Sequence, residues 1–370
     1  MDSEIDLKDD YYTSHLITYL GNKRKLLPFI NDAINRVKTD LGKETITAFD
    51  GFAGSGVVSR LLKQHTDVLY LNDFEQYSKT VNTAFLANRE DVDVDRLSKA
   101  LNYLNENRLK KTDSEYFITK NYSPEDDENI KPGERVFYTH NNALAIDNIR
   151  YLIDHDIDED LRLYCLAELI VEASIHNNTS GVFKGFHKKD GIGHFGGAGE
   201  NALERIKGDI KLSVPVFSRR SNITHIFCED TNSLVKKLPA VDLAYYDPPY
   251  NQHPYGSNYF MLNIINGGKP IRIQCGVSGI AEEWQRSAYN KAQPAEEAMN
   301  DLIKNTKSKY ILISYNNEGI IPFDRFKEIV SENGEYELLE QDYNTYRGSR
   351  NLHARSNKVK ELLWLIKKPN

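Results

Sequence analysis

Residues 247–250, Asp-Pro-Pro-Tyr, follow directly on an apolar run, Val241 to Tyr246. A turn explains the prolines, because proline fixes φ and has no N–H to give to a sheet. A turn does not explain an acid before them and an aromatic ring after them. Together Asp247, Pro248, Pro249 and Tyr250 supply a rigidly held carboxylate acceptor beside a flat face, the parts of a preorganised polar site. The plainer alternative for Tyr250 is a surface tyrosine after a turn.

A second set lies upstream in "DGFAGSG", residues 50–56, between a short apolar strand and a helix. Glycines there let the backbone approach a ligand, and the helix start presents free N–H groups. Asp73 follows Gly51 by 22 residues, at the end of the next strand. A carboxylate at that position holds ribose hydroxyls, so the spacing points to an adenosine-bearing cofactor. Both Asp73 and Asp230 also stand where a helix cap would stand.

These residues need a parallel sheet to bring them together. "TITAFDGFAGSGVVSRLLKQ" (45–64) predicts strand, turn and helix, with Val57, Val58, Leu61 and Leu62 at helical spacing. "DVLYLND" (67–73), "ITHIFCED" (223–230) and "VDLAYYD" (241–247) predict strands that end in an acid. "SKYILISYNNEG" (308–319) adds another strand, and "YELLEQDYNTY" and "VKELLWLIKK" predict an antiparallel pair. Leu26 to Leu41 form one amphipathic helix. Residues 74–110 read as polar helices. Between 111 and 223 the pattern is mixed: a short strand and helix in "ERVFYTHNNALAIDNIRYLI", a strong helix in "RLYCLAELIVEASIH", and a mobile loop in "GFHKKDGIGHFGGAGEN". Alternating β and α implies a mostly parallel, Rossmann-like sheet. We therefore expect an α/β catalytic domain, 1–110 plus 224–370, interrupted by a mainly helical module at 111–223.

A chain of 370 residues is long enough for such a domain with a smaller insert. No apolar run approaches a membrane span, and "MDSEIDLKDDYY" has no signal-peptide core. The three cysteines, Cys165, Cys228 and Cys275, have no zinc-ligand spacing, which predicts free thiols in a cytoplasmic setting and no metal site. The net charge of −7 argues against a nucleic-acid partner until its distribution is read. Residues 184–220 hold eight Lys/Arg against four Asp/Glu, and 341–370 hold seven against two. Two mildly basic segments thus stand out from an acidic chain.

"DPPY" together with "FAGSG" resembles the paired signature of S-adenosylmethionine-dependent amino-methyltransferases. The order of segments resembles the alpha group of DNA adenine-N6 methyltransferases, the Dam-like enzymes: "YLGNKRK" (19–25), then "FAGSG" (52–56), then the 111–223 module, then "DPPY" (247–250). "YGSNYFMLNII", "NTSGVFKGF" and "GIAEEWQRSAYN" are similar to segments of the FokI-methyltransferase-like subset. The fold this implies is a methyltransferase sheet with C-terminal antiparallel strands and an inserted target-recognition module.

The resemblance implies a role for each matching residue. Tyr19, Gly21 and Lys23 line the cofactor or cradle its carboxylate. Phe52, Ala53, Gly54 and Gly56 lie under its methionine part. Asp73 takes the ribose hydroxyls, Asp230 lies near the adenine, and Asp247, Pro248, Pro249 and Tyr250 form the catalytic loop. Two departures stand out: position 19 is Tyr where Dam-like enzymes often have Trp, and the recognition module is long.

The implied chemistry suits the residues. The exocyclic amine of adenine is a poor nucleophile because its lone pair is delocalised into the ring. Two acceptors aimed at its hydrogens, the Asp247 carboxylate and the Pro248 carbonyl, favour a pyramidal nitrogen and free that lone pair. Tyr250 offers a face to a base flipped out of the duplex. Metal is not required.

The expected partner is double-stranded DNA, with a cognate restriction endonuclease acting separately or none, and the enzyme a monomer or a dimer. DNA contacts are expected from Lys184, Lys188 and Lys189 in the Gly-rich stretch and from Arg219 and Arg220. An ordinary surface loop at 191–199 is the alternative, with the basic tail 347–368 as the other candidate. Methylation of RNA or of cytosine N4, and a silent DNA-binding module, are the competing functions. Asp at 247 disfavours N4 chemistry by resemblance, and the intact motif disfavours a silent module.

Overall fold

Strand β4 (Val241–Tyr246) is buried at every position, which requires cover on both faces. Leu243 and Tyr245 enter one core, beneath the Leu27–Leu41 and Val57–His65 helices. Ala244 and Tyr246 enter the other, with Met299, Leu302 and Phe326 from the Ala292–Asn305 and Phe323–Asn333 helices. The computed structural model describes residues 5–14, 17–19, 21–317, 319–344 and 358–369. The other strands of its main sheet are β1 (Ile46–Asp50), β2 (Thr66–Asn72), β3 (Ile223–Phe227), β5 (Ser308–Asn316), β6 (Glu335–Asn344) and β7 (Lys358–Lys367).

The strand order is β3-β2-β1-β4-β5-β7-β6. Five neighbouring strands run parallel, and β7 inserts antiparallel between β5 and β6. This is the mixed α/β sheet expected for a methyltransferase. Chain direction across the sheet reverses between β1 and β4, so a crevice opens at the carboxyl ends of those two strands. Asp50, Asp73 and Asp247 all stand at carboxyl ends of strands facing it.

The 111–223 segment is mainly helical, with helices at His140–His155 and Glu159–Ile175. It has a small apolar cluster of its own, Val136, Phe195 and Ile206, but its main core is shared. Leu169 and Ile170 share one apolar cluster with Val81 and Phe85, with Leu97 and Leu101, and with Phe260 and Leu262. The break between cores therefore does not fall at residue 110. Residues 74–110 do form helices, Gln76–Phe85 and Val94–Asn107, but each buries an apolar face there instead of lying polar in solvent.

Two further local readings differ. Residues 134–139 form no strand: the Phe137 and Tyr138 N–H groups both go to the Tyr122 carbonyl, at the end of the Phe117–Tyr122 helix, instead of to a neighbouring strand. The Gly-rich stretch expected to be mobile is a small hairpin, Lys188–Lys189 against Ile192–Gly193. The Asn178 side chain pins it, donating to the carbonyls of Val136 and His194 and accepting from the Gly196 N–H.

Candidate active site

The loop after β1 is shaped by contacts that leave no room for side chains. Gly56 has φ +78°, and a Cβ there would stand 1.9 Å from Asn82 Oδ1. Gly54 has φ +51°, and its Cβ would press the Tyr19 ring at 3.1 Å. Asn82 and Ser78 in turn donate to the Gly54 carbonyl, at 3.2 and 2.6 Å. Asp73 holds the loop from β2: Oδ2 accepts from the Gly54 N–H at 2.7 Å, and Oδ1 from the Glu75 N–H at 2.9 Å.

Across the β1/β4 crevice stands the Asp-Pro-Pro-Tyr turn. The two sides flank a pocket that opens to solvent. Tyr19, Gly21, Lys23, Phe52, Ala53, Gly54, Asp73, Asp230, Asp247 and Pro249 all line it. Gly56 shapes the loop from behind. Pro248 is buried, and the half-buried Tyr250 lies edge-on to Tyr315. Tyr19 stacks with both Tyr255 and Tyr259, ring centroids 5.0 and 4.6 Å away, and these two rings lie 5.8 Å from each other. Tyr77 donates to the Tyr19 hydroxyl at 3.2 Å. Asp230 caps the short Thr231–Leu234 helix, accepting from the Ser233 N–H at 2.9 Å, while also lining the pocket.

The wall is acidic. Burial pushes Asp50 up to about 7, against the hydrogen bond from Ser59. Burial likewise raises Glu75 to about 7 and Asp73 to about 6, partly offset by their hydrogen bonds. Asp247, about one-fifth exposed, is raised to about 6 by burial, with Lys23 pulling it back down. The Lys23 ammonium is spoken for: it lies 3.2 Å from Asp247 Oδ1 and 3.0 Å from Glu361 Oε1. On the pocket wall the buried atoms Tyr245 Oη and Asn290 Oδ1 have no hydrogen-bond partner among the described residues.

Sequence reasoning missed Asp50, Glu75, Tyr245, Tyr255, Asn290 and Glu361. Asp50 was within reach, since it ends its strand in an acid just as the neighbouring strands do. Glu361 carries no such signal beyond being a carboxylate in the apolar stretch "ELLWLI".

The proposed DNA contacts divide into two groups. Lys184 follows Phe183, whose N–H donates to the Asn258 carbonyl, three residues after the pocket-lining Tyr255, and Lys188 and Lys189 stand exposed in the hairpin further along. Arg219 and Arg220 stand elsewhere. Arg220 pairs with Asp67 at 3.1 Å, at the amino end of β2. That is the opposite end of the sheet from the pocket, roughly 20 Å away at ~3.3 Å per residue. The tail residues 347–357 lie outside the described residues.

Comparison with known proteins agrees with this geometry. The profile of the D12 class N6 adenine-specific DNA methyltransferases matches residues 19–329. The type II methyltransferase M.CviAII of Paramecium bursaria Chlorella virus 1 is 29% identical over 355 residues, covering 95% of this chain and 98% of its own. M.NlaIII of Neisseria lactamica is 28% identical over 361 residues, covering 95% and 99%. M.FokI of Planomicrobium okeanokoites is 28% identical over 365 residues, which is 95% of this chain but 52% of the longer relative.

Proposed function

Because the chain belongs to the D12 class of N6 adenine-specific DNA methyltransferases, we propose that its pocket divides between a cofactor half at the Gly51–Gly56 loop and a base half at Asp247–Tyr250. The enzyme transfers a methyl group from S-adenosylmethionine to the N6 amine of adenine in DNA. This sets aside the cytosine, RNA and silent-module readings.

One observation carries the division: the strand-end carboxylates of β1, β2 and β4 converge on a single pocket, with the Gly-rich loop on one side and the proline turn on the other. The residues suit the cofactor. S-adenosylmethionine, when bound, supplies a methyl group on a cationic sulfonium. Asp50, Asp73, Glu75, Asp230 and Asp247 make a wall that favours a cation and opposes a phosphate-bearing nucleotide. Asp73 retains lone pairs beyond its two backbone bonds for ribose hydroxyls. Phe52, Ala53 and Gly54 form the floor. Tyr19, Gly21 and Asp230 line the rim, Tyr19 held by its aromatic stack.

In the base half, Asp247 and the Pro248 carbonyl accept the two amine hydrogens and free the nitrogen lone pair. Pro248 and Pro249 fix both acceptors, so no reorganisation is needed as charge develops. Tyr250 gives the flipped adenine a face to stack on. Asp247 is ionised at neutral pH and basic enough to take the proton the amine releases. Lys184 and the hairpin lysines Lys188 and Lys189 neutralise phosphates beside the flipped base. The relatives' type II names support a restriction–modification setting with a separate endonuclease. No described helix is long and apolar enough to cross a membrane.

The test is transfer of label from tritiated S-adenosylmethionine to duplex DNA, with the modified base identified by chromatography. N6-methyladenine at one short sequence is the expected product. Label on another base, or on RNA in preference to DNA, overturns the reading.

A further inference from the structure

Lys23 is sequestered in a way that cofactor binding does not require. Its ammonium is buried, with 5% of the side chain exposed, and two carboxylates from distant parts of the chain close on it. One is Asp247, at the end of β4. The other is Glu361, near the start of β7, 7% exposed and itself held by the Ser314 hydroxyl at 3.0 Å. Alternation along β7 puts Glu361 on the face that carries Leu363 and Leu365, so a carboxylate stands in an otherwise apolar row. Burying an unpaired carboxylate there would be costly, and Lys23 is the partner that permits it. The ammonium also lies 5.4 Å from the centroid of the Tyr250 ring.

We infer that Lys23 and Glu361 form a positioning pair for the catalytic carboxylate: Glu361 fixes Lys23, and Lys23 fixes Asp247 and sets its charge, in place of cradling the cofactor. This rests on the proposed role of Asp247. The opposed charges act on Asp247 in opposite senses. The Lys23 cation favours the ionised carboxylate and the Glu361 anion disfavours it, on top of the dominant effect of burial. Asp50 at the end of β1, and Tyr245, Tyr250 and Tyr255, are the other titratable groups facing this cluster. Burial holds Lys23 back, but the two carboxylates more than offset it, so it stays protonated throughout the working range.

The test measures single-turnover methyl transfer against pH for the parent, Glu361→Gln, Lys23→Gln and the double variant, with cofactor affinity by calorimetry. Glu361→Gln keeps the shape and removes the charge. It should move the acid limb of the profile to lower pH, by about one unit, the lower end of a close-charge effect. Lys23→Gln should move the limb to higher pH by about one unit or more. The double variant, with no net charge change at the pair, should fold even if Lys23→Gln alone does not, and its limb should lie between the two. Cofactor affinity should change less than about threefold in Glu361→Gln, well below the tenfold that one pK unit represents. Limbs that stay in place while activity falls would make the pair merely structural. Loss of cofactor affinity in Lys23→Gln with an unmoved limb would restore the cofactor-cradling role. An Asp247→Ala enzyme that still turns over would instead remove the premise, a failure distinct from either.

Discussion

Asp73 reaches back across the sheet to the loop after β1, where its Oδ2 accepts the Gly54 N–H at 2.7 Å. One carboxylate thereby ties the second strand to the glycine turn and still faces the pocket. Asp73→Ala should weaken S-adenosylmethionine binding by roughly 1.5–3 kcal/mol, the value of a hydrogen bond to a charged group. DNA affinity should hardly change. Titration calorimetry with cofactor and fluorescence anisotropy with a duplex separate the two, and an unchanged cofactor isotherm would leave Asp73 with a structural role alone.

Asp247→Ala should show the reverse pattern. The cofactor half of the pocket is built from other residues, so cofactor binding should persist. Transfer should lose about 2.7–4 kcal/mol of transition-state stabilisation, two to three orders of magnitude in rate. Quenched-flow measurement of labelled DNA gives the number, and near-parental turnover would remove Asp247 from the chemistry.

Cofactor affinity should rise with pH. Burial lifts Asp50 and Glu75 to about 7 and Asp73 to about 6 in the free protein. A bound cation favours their ionised forms, so binding releases protons and is opposed as pH falls through 7 toward 6. Affinity should level off above about pH 8, a unit above the highest of these values, where the groups are already about nine-tenths ionised. Calorimetry at one pH in two buffers of different ionisation enthalpy should detect the released protons. Equal heats in both buffers would contradict the assignment.

The DNA contacts should divide as the structure divides them. Lys188→Ala and Lys189→Ala should each weaken cognate and scrambled duplexes alike and shallow the salt slope by about one unit. Arg220→Ala should not, because its guanidinium is paired with Asp67 at the far end of β2. A salt series for the three variants checks this. A shallower slope in Arg220→Ala would place DNA on the amino-terminal side of the sheet.

Much of the site was legible in the sequence because its chemistry is local. A glycine turn between strand and helix, an acid at a strand end and a proline-locked carboxylate each declare themselves within a few residues, through φ preferences and hydrogen-bonding capacity. The β1–β2 unit, β3, β4, β5 and the C-terminal antiparallel pair follow from short apolar runs, and so does the direction in which their acids point.

Tertiary structure decided what depends on partners distant in the chain. Glu361 meets Lys23 only because β7 inserts beside β5, and nothing near residue 361 announces that register. Arg220 looked like a phosphate contact until the bend before β3 placed it beside Asp67. The helices after residue 74 looked polar because only one narrow face of each is apolar. That face finds its cover in Leu169, Ile170 and Phe260, far along the chain. Backbone preferences act over a few residues and are written in the local sequence. Burial and charge pairing depend on which segments the sheet order brings together, and only the assembled fold sets that.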